Sequence, residues 1–187
     1  QAGHEGHQHA GHEQHAAMLQ QQGYLRGEVA YEIPDLTLTT QKGEPVALRE
    51  LLGSPKPVML NYIYTTCTTI CPVLSASFAQ TQRALGPEAA DVELLSITID
   101  PEHDTPARLR EYAQRFKAED GWQLLTGTRQ DIIAAQEAFA ASRGDKMNHI
   151  PLTLLRVAPD GPWVRLEGFA SAQELVQPTL NWLAEHG

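Results

Sequence analysis

Hydrophobic and polar positions fall into two regimes along the chain. Residues 1–23 carry no aromatic side chain and almost nothing large and apolar before Met18 and Leu19. A stretch so poor in apolar surface cannot offset its ordering entropy, so it is expected to be a disordered tail, with the compact domain beginning near Tyr24. From there apolar runs alternate with amphipathic helices. The continuous, β-rich run over 58–64 predicts a strand covered on both faces. Residues 72–85 follow with Leu74, Phe78, Thr81 and Leu85 at helical spacing, and Pro72 suits the first helical position. A second buried strand is expected over 92–99, ending at Asp100-Pro101. A helix then starts around Thr105-Pro106, with Leu109, Tyr112, Ala113 and Phe116 on one face, and another spans about 130–142 and stops at Gly144. Residues 152–157 and 163–169 flank the turn Pro159-Asp160-Gly161-Pro162 and predict an antiparallel hairpin. A final helix over 171–185 closes the domain.

The order strand, helix, strand, helix, helix, hairpin, helix implies an α/β fold with a central mixed β-sheet flanked by helices, its parallel crossovers early and its antiparallel pair late. Nothing repeats internally. The length of 187 residues fits one globular unit, here 24–187, with a core large enough to need no disulfide scaffold. Charge narrows the choice of partners. With 14 basic and 23 acidic residues the net charge is −9 and no basic stripe is present, so nucleic acid is not an expected partner. No stretch approaches the roughly 18 consecutive apolar residues of a transmembrane helix. Because the sequence begins with Gln1 rather than Met, removal of a natural N-terminus is expected, and a signal peptide or membrane anchor could have preceded it.

Candidate chemistry is concentrated in a few side chains. The only cysteines, Cys67 and Cys71, sit in Tyr64-Thr65-Thr66-Cys67-Thr68-Thr69-Ile70-Cys71-Pro72, where a buried strand hands over to a helix. Ligands in open α/β sheets gather at the carboxyl ends of strands. Cys71 is expected at the helix N-cap, where unpaired amides and the helix dipole favour a thiolate. Two cysteines four apart can close a disulfide or bind one soft metal ion together. The bland alternative is a pair of buried small hydrophobes. Three intervening residues leave more room for an ion than the two of a usual dithiol oxidoreductase, so the spacing leans towards metal.

Five of the eight histidines, His4, His7, His9, His12 and His15, crowd into the tail, where flexible imidazoles at this density can wrap Cu(II), Zn(II) or Ni(II), and Met18 can add a thioether for Cu(I). Outside the tail, His186 is expected in solvent and His103 on the surface or at a helix cap. His149, directly ahead of the strand at 152–157, is the candidate third ligand beside the two cysteines. Thiolate and imidazole together suit Cu(I), Cu(II) or Zn(II).

Three blocks in order carry a resemblance that spans most of residues 24–187. The Cys67-Thr68-Thr69-Ile70-Cys71-Pro72 loop after an apolar strand resembles the CxxxCP signature of the Sco/SenC proteins. Asp100-Pro101-Glu102-His103-Asp104-Thr105-Pro106 resembles their D-P-x-x-D-T-P block, and His149 ahead of a strand and Pro159-Asp160-Gly161 resembles their ligand histidine before a P-D-G turn. The resemblance implies a thioredoxin-like fold and copper held by Cys67, Cys71 and His149. It implies a periplasmic or other extracytoplasmic metallochaperone that delivers copper to, or prepares, the dinuclear copper centre of cytochrome c oxidase. The partners implied are the copper-receiving subunit of that oxidase or another copper protein, with a second copper chaperone as a further candidate. Ile150-Pro151 is similar to the cis-proline that faces the cysteine loop in thioredoxin-like folds, so a cis bond is an expectation to test. Two other functions stay open: a thiol-disulfide oxidoreductase, which needs Cys67 and Cys71 but not His149, and a buffering protein whose tail is the relevant metal site.

Overall fold

The apolar run that begins at Val58 becomes the central strand of the computed structural model, which describes residues 24–141, 146 and 149–186. The histidine-rich segment 1–23 lies outside the described residues. In chain order the elements are β1 (Tyr24–Val29), β2 (Thr37–Thr40), β3 (Pro45–Ala47), α1 (Leu48–Leu52), β4 (Val58–Ile63), α2 (Ile70–Leu85), β5 (Glu93–Thr98), α3 (Pro106–Arg115), β6 (Trp122–Thr126), α4 (Arg129–Ala138), β7 (Leu152–Arg156), β8 (Trp163–Gly168) and α5 (Ala172–His186). The strands form one sheet in the order β1-β8-β7-β4-β5-β6-β2-β3. Pairings β4–β5 and β5–β6 are parallel, and the remaining pairings are antiparallel.

Every residue of β4 is buried because both faces of the sheet are covered. Alternation along the strand sends Met59 and Ile63 into a core shared with Phe78 of α2, Tyr112 of α3 and Leu175 of α5. Val58, Leu60 and Tyr62 enter a second core with Leu48 and Leu52 of α1 and Ile132 and Ala135 of α4. A polar chain crosses the middle of the sheet: Trp122 Nε1 donates to Ser96 Oγ at 3.0 Å, and Ser96 donates to Asn61 Oδ1 at 2.5 Å.

Several expectations are corrected. A sixth strand, β6, intervenes between the two middle helices, and three short strands and a short helix precede β4. Helix α2 starts at Ile70 with Thr69 as its cap residue, so Cys71 is the second helical residue and not the N-cap. Pro72 is therefore third in the helix, which is tolerated because the amides of the first turn have no intrahelical acceptor. Helix α4 ends at Ala138 rather than near residue 142, because Ala140 adopts φ 50° and turns the chain out of the helix. The peptide bond before Pro151 is trans, as there is no cis bond among the described residues. The hairpin and the closing helix lie where the pattern predicts them.

Candidate functional site

Topology gathers the three chemically loaded segments at one edge of the sheet. Strands β4 and β5 are parallel, so the loops that follow them leave side by side. Strand β7 runs antiparallel to β4, with Thr153 opposite Asn61, so the segment bearing His149 enters at that same edge. The cysteine loop, the Asp100–Thr105 turn and the His149 segment therefore lie at the same end of the sheet although they are far apart in sequence.

The cysteine loop is a tight turn into α2. The Cys67 N–H donates to the Tyr64 carbonyl at 3.1 Å. The Cys71 N–H, an amide of the first helical turn, donates to Cys67 Sγ at 3.4 Å, and Thr69 Oγ1 lies 3.8 Å from the same sulfur. Both cysteines are buried and both are free thiols. Their acidities are split. Burial raises the Cys67 pKa, but the hydrogen bonds from the Cys71 side chain and backbone and from Thr69 outweigh it and bring the thiol down to about 7. For Cys71, burial and then the hydrogen bond it gives to Cys67 push the thiol well above its usual range, and the negative charges of Cys67 and Asp104 add to this. The pair thus loses its first proton near neutral pH, from Cys67, and retains the one on Cys71. Below it, Tyr112 Oη and Ser75 Oγ are 2.6 Å apart, and the tyrosine hydroxyl also donates to the Cys71 carbonyl at 3.4 Å.

Asp104 is the residue that holds this loop, and a role for it was not legible in the sequence. It is completely buried. Its carboxylate accepts from the Thr65 N–H at 3.0 Å, from the Thr65 hydroxyl, and from the Thr98 hydroxyl at 2.7 Å. One carboxylate thereby ties the end of β5 to the start of the cysteine turn. The available signal was an acid placed in the turn after a buried strand, within the D-P-x-x-D-T-P block. Thr105 caps α3, accepting from the Arg108 N–H at 3.3 Å, so the cap does not fall to its neighbour His103, which is half-buried.

His149 lies one aromatic ring from the cysteine turn, its ring centroid 6.2 Å from that of Tyr64. Its Nε2 is 2.8 Å from the Tyr62 carbonyl. A carbonyl only accepts, so Nε2 carries the proton and Nδ1 keeps its lone pair. Burial lowers the His149 pKa and the Tyr62 carbonyl partly restores it, which keeps the ring neutral and fit to ligate. A backbone acceptor on one ring nitrogen is the usual anchor of a histidine that binds metal through the other. Among the described residues no three His, Cys, Asp or Glu side chains are gathered closely enough to hold an ion. The structure therefore brings Cys67 and Cys71 together and leaves His149 beside them. Lys146 pairs with Asp100 at 2.9 Å and sits over the Tyr64 ring at 5.6 Å, tying the His149 segment to the same turn. His186 is exposed and stacks on Trp182 away from the site, with centroids 4.5 Å apart. The tail histidines His4, His7, His9, His12 and His15 lie outside the described residues.

Comparison with known proteins places the chain in a family and a fold. The SCO1/SenC family model matches residues 26–181. The SCO1 protein homolog of Bacillus subtilis is 34% identical over 117 residues, which is 62% of this chain and 58% of that protein. The chain thus spans little more than half the length of this relative. Among solved structures, BsSco, a member of the Sco family of cytochrome c oxidase assembly proteins in which a disulfide switch was identified, superposes with a TM-score of 0.68 at 26% identity, covering 86% of this chain and 98% of that one. Bradyrhizobium japonicum ScoI with copper bound superposes with a TM-score of 0.68 at 25% identity, over 82% and 99% of the two chains. The fold is the thioredoxin-like α/β fold of these proteins. With the family pattern matched from β1 into α5 and a paired-thiol turn at the carboxyl end of β4, the chain belongs to the SCO1/SenC family.

Proposed function

We propose that the protein is a copper-carrying assembly factor in which Cys67, Cys71 and His149 hold the ion. The observation that carries this reading is the donor set at one sheet edge: two free thiols in one tight turn, with the Cys71 N–H on Cys67 Sγ at 3.4 Å, and beside them an imidazole whose Nε2 is held by the Tyr62 carbonyl at 2.8 Å, leaving Nδ1 with its lone pair. Soft thiolate with imidazole accepts Cu(I) and Cu(II). Copper bound to the Bradyrhizobium japonicum relative supports the same cargo. The proposed client is the dinuclear copper centre of cytochrome c oxidase, supported by the assembly role of the Bacillus relative, and the proposed place of action is outside the cytoplasmic membrane. Among the described residues no helix is long and apolar enough to cross a membrane.

The test is a copper titration of the reduced full chain. His149→Ala is expected to weaken Cu(II) binding on the order of 100-fold, at least as much as the loss of an anchoring group around a metal site. It should leave closure of the Cys67–Cys71 disulfide unchanged. Unaltered Cu(II) affinity would remove His149 from the site.

A second reading, thiol-disulfide exchange with the cysteines of a copper protein, is favoured by one specific observation. The split acidities give Cys67 the character of an attacking thiolate and leave Cys71 as a protonated resolving thiol. This reading is separated from the first by the rate of exchange with a disulfide-bonded peptide, which His149→Ala should not change.

A further inference from the structure

Four large hydrophobic side chains are exposed among the described residues, Val29, Val73, Ile133 and Phe169. Two of them frame one groove. Val73 is 49% exposed on the first turns of α2, and Phe169 is 42% exposed just after β8. Between them lies a groove of about 460 Å³ whose walls include Pro72, Ala76, Ser77 and Ala170. No charged side chain lines it. Its floor is fixed, since Ser77 Oγ donates to the Ala170 carbonyl at 3.1 Å. One end abuts the cysteine turn, because Pro72 follows Cys71 directly.

The path of the chain says what covers this groove. Strand β8 is antiparallel to β7, so its last residue, Gly168, returns to the edge where His149 enters, and its N–H donates to the Pro151 carbonyl at 3.0 Å. Strand β1 pairs with β8 in antiparallel register with Tyr24 opposite Gly168. Residues 1–23 therefore join the fold at the cysteine edge, one step from Phe169, rather than at the far end of the sheet. Met18 and Leu19 are the large apolar residues nearest this entry, and Leu19 is five positions from Tyr24. At roughly 3.3–3.6 Å per extended residue that interval reaches about 17 Å. The groove follows α2 from Pro72 to Gln80, a rise of about 12 Å at ~1.5 Å per helical residue.

We propose that the amino-terminal segment occupies this groove, Met18 and Leu19 seating on Val73 and Phe169, and that it holds its five histidines beside the cysteine turn as an internal copper donor. The segment contains no Lys or Arg, and its acids are Glu5 and Glu13, so no charge opposes docking on a neutral surface. Tethering replaces a search through solution by a local concentration in the millimolar range. The docking half stands on the groove and the register. The donor half rests on copper binding at Cys67 and Cys71 as proposed above.

Two measurements on the reduced full chain test the halves separately. In methyl-labelled, metal-free protein, Met18→Gln combined with Leu19→Gln is expected to shift the Val73 methyl and Phe169 ring resonances while those of Leu60, in the opposite core, stay in place. Unmoved Val73 and Phe169 signals would overturn docking, as would signals that move with protein concentration, which would assign the groove to a second copy. In the second measurement Cu(II) is mixed at half an equivalent and the thiolate-to-copper absorption is followed. Replacing His4, His7, His9, His12 and His15 by Gln is expected to slow its appearance by about tenfold or more at micromolar copper, with the same final amplitude. An equal rate would overturn the donor role. Absence of the band in both proteins would instead defeat copper binding at the cysteines, with the resonance shifts still deciding the docking.

Discussion

Cys67 and Cys71 carry the same side chain four positions apart and titrate in opposite directions. The difference is one of burial and donors: Cys67 sulfur receives the first-turn amide of α2 and faces Thr69, whereas Cys71 is fully buried, its carbonyl held by the Tyr112 hydroxyl, and it faces the charges of Cys67 and Asp104. Alkylation of the reduced protein by iodoacetamide should therefore modify Cys67 first, with a rate that rises with pH and reaches half its plateau near pH 7. The stability sign follows from the same lowering. Folding depresses the Cys67 pKa, so this contribution is full above the unfolded thiol value and fades as pH falls through about 7. Cys71→Ser should move the alkylation midpoint. A midpoint that stays near 7 would mean the backbone amides alone set it.

Asp104 acts at the same scale through position and charge. Asp104→Asn keeps the volume but replaces one carboxylate oxygen by a donor, so one of the three donors from Thr65 and Thr98 loses its acceptor. The expected cost is about 1–3 kcal/mol in urea unfolding. Loss of the nearby negative charge should also make Cys71 more acidic, visible as faster alkylation of Cys71 at about pH 9–10, above the usual thiol pKa of about 8.5. Unchanged stability together with unchanged Cys71 reactivity would reduce Asp104 to a bystander.

Among the elements, helix ends show where sequence reading succeeds and where it stops. Helices α3 and α4 finish with the same device. The Ala118 N–H reaches the Ala113 carbonyl and the Lys117 N–H the Gln114 carbonyl, with Lys117 at φ 55°. The Ala141 N–H reaches Gln136 and the Ala140 N–H reaches Glu137, with Ala140 at φ 50°. Glycine ordinarily fills this left-handed position, and its absence hid both stops. Both residues are exposed. Lys117→Gly and Ala140→Gly should each stabilise the fold by about 0.5–1 kcal/mol in urea unfolding, relief of the left-handed strain exceeding glycine's added chain entropy. A loss of stability would show that these side chains contribute more than their backbone costs. Strands had a parallel limit. Strand β4 was legible because six consecutive buried residues leave a continuous apolar run. Strand β6, Trp-Gln-Leu-Leu-Thr, is five residues long with Gln123 in it and a glycine on either side, too short for its period to stand out. Strands β2 and β3 are short, and several of their residues are only partly buried, so neither gave a period.

At the scale of the whole molecule, sequence reading could name the cysteines and His149 but not how they meet. That depends on β7 running antiparallel to β4, and on Asp104 and Lys146 bracing the turn from two other segments. On the proposed site this arrangement would make redox state and cargo exclusive, since a Cys67–Cys71 disulfide consumes both sulfurs that the ion would use. Metal that binds the native state alone adds stability by mass action, about 2.7 kcal/mol when free copper is 100 times its dissociation constant. For a chain of this size each kcal/mol moves the midpoint by about 2–4 °C, so copper should raise the thermal midpoint of the reduced protein by about 5–11 °C. The disulfide form should not respond through this site, and any shift it shows measures metal that the fold holds elsewhere. Replacing the five tail histidines by Gln should leave most of the reduced-form shift intact. An equal copper-induced rise in both redox states of that variant would place the bound ion away from Cys67 and Cys71.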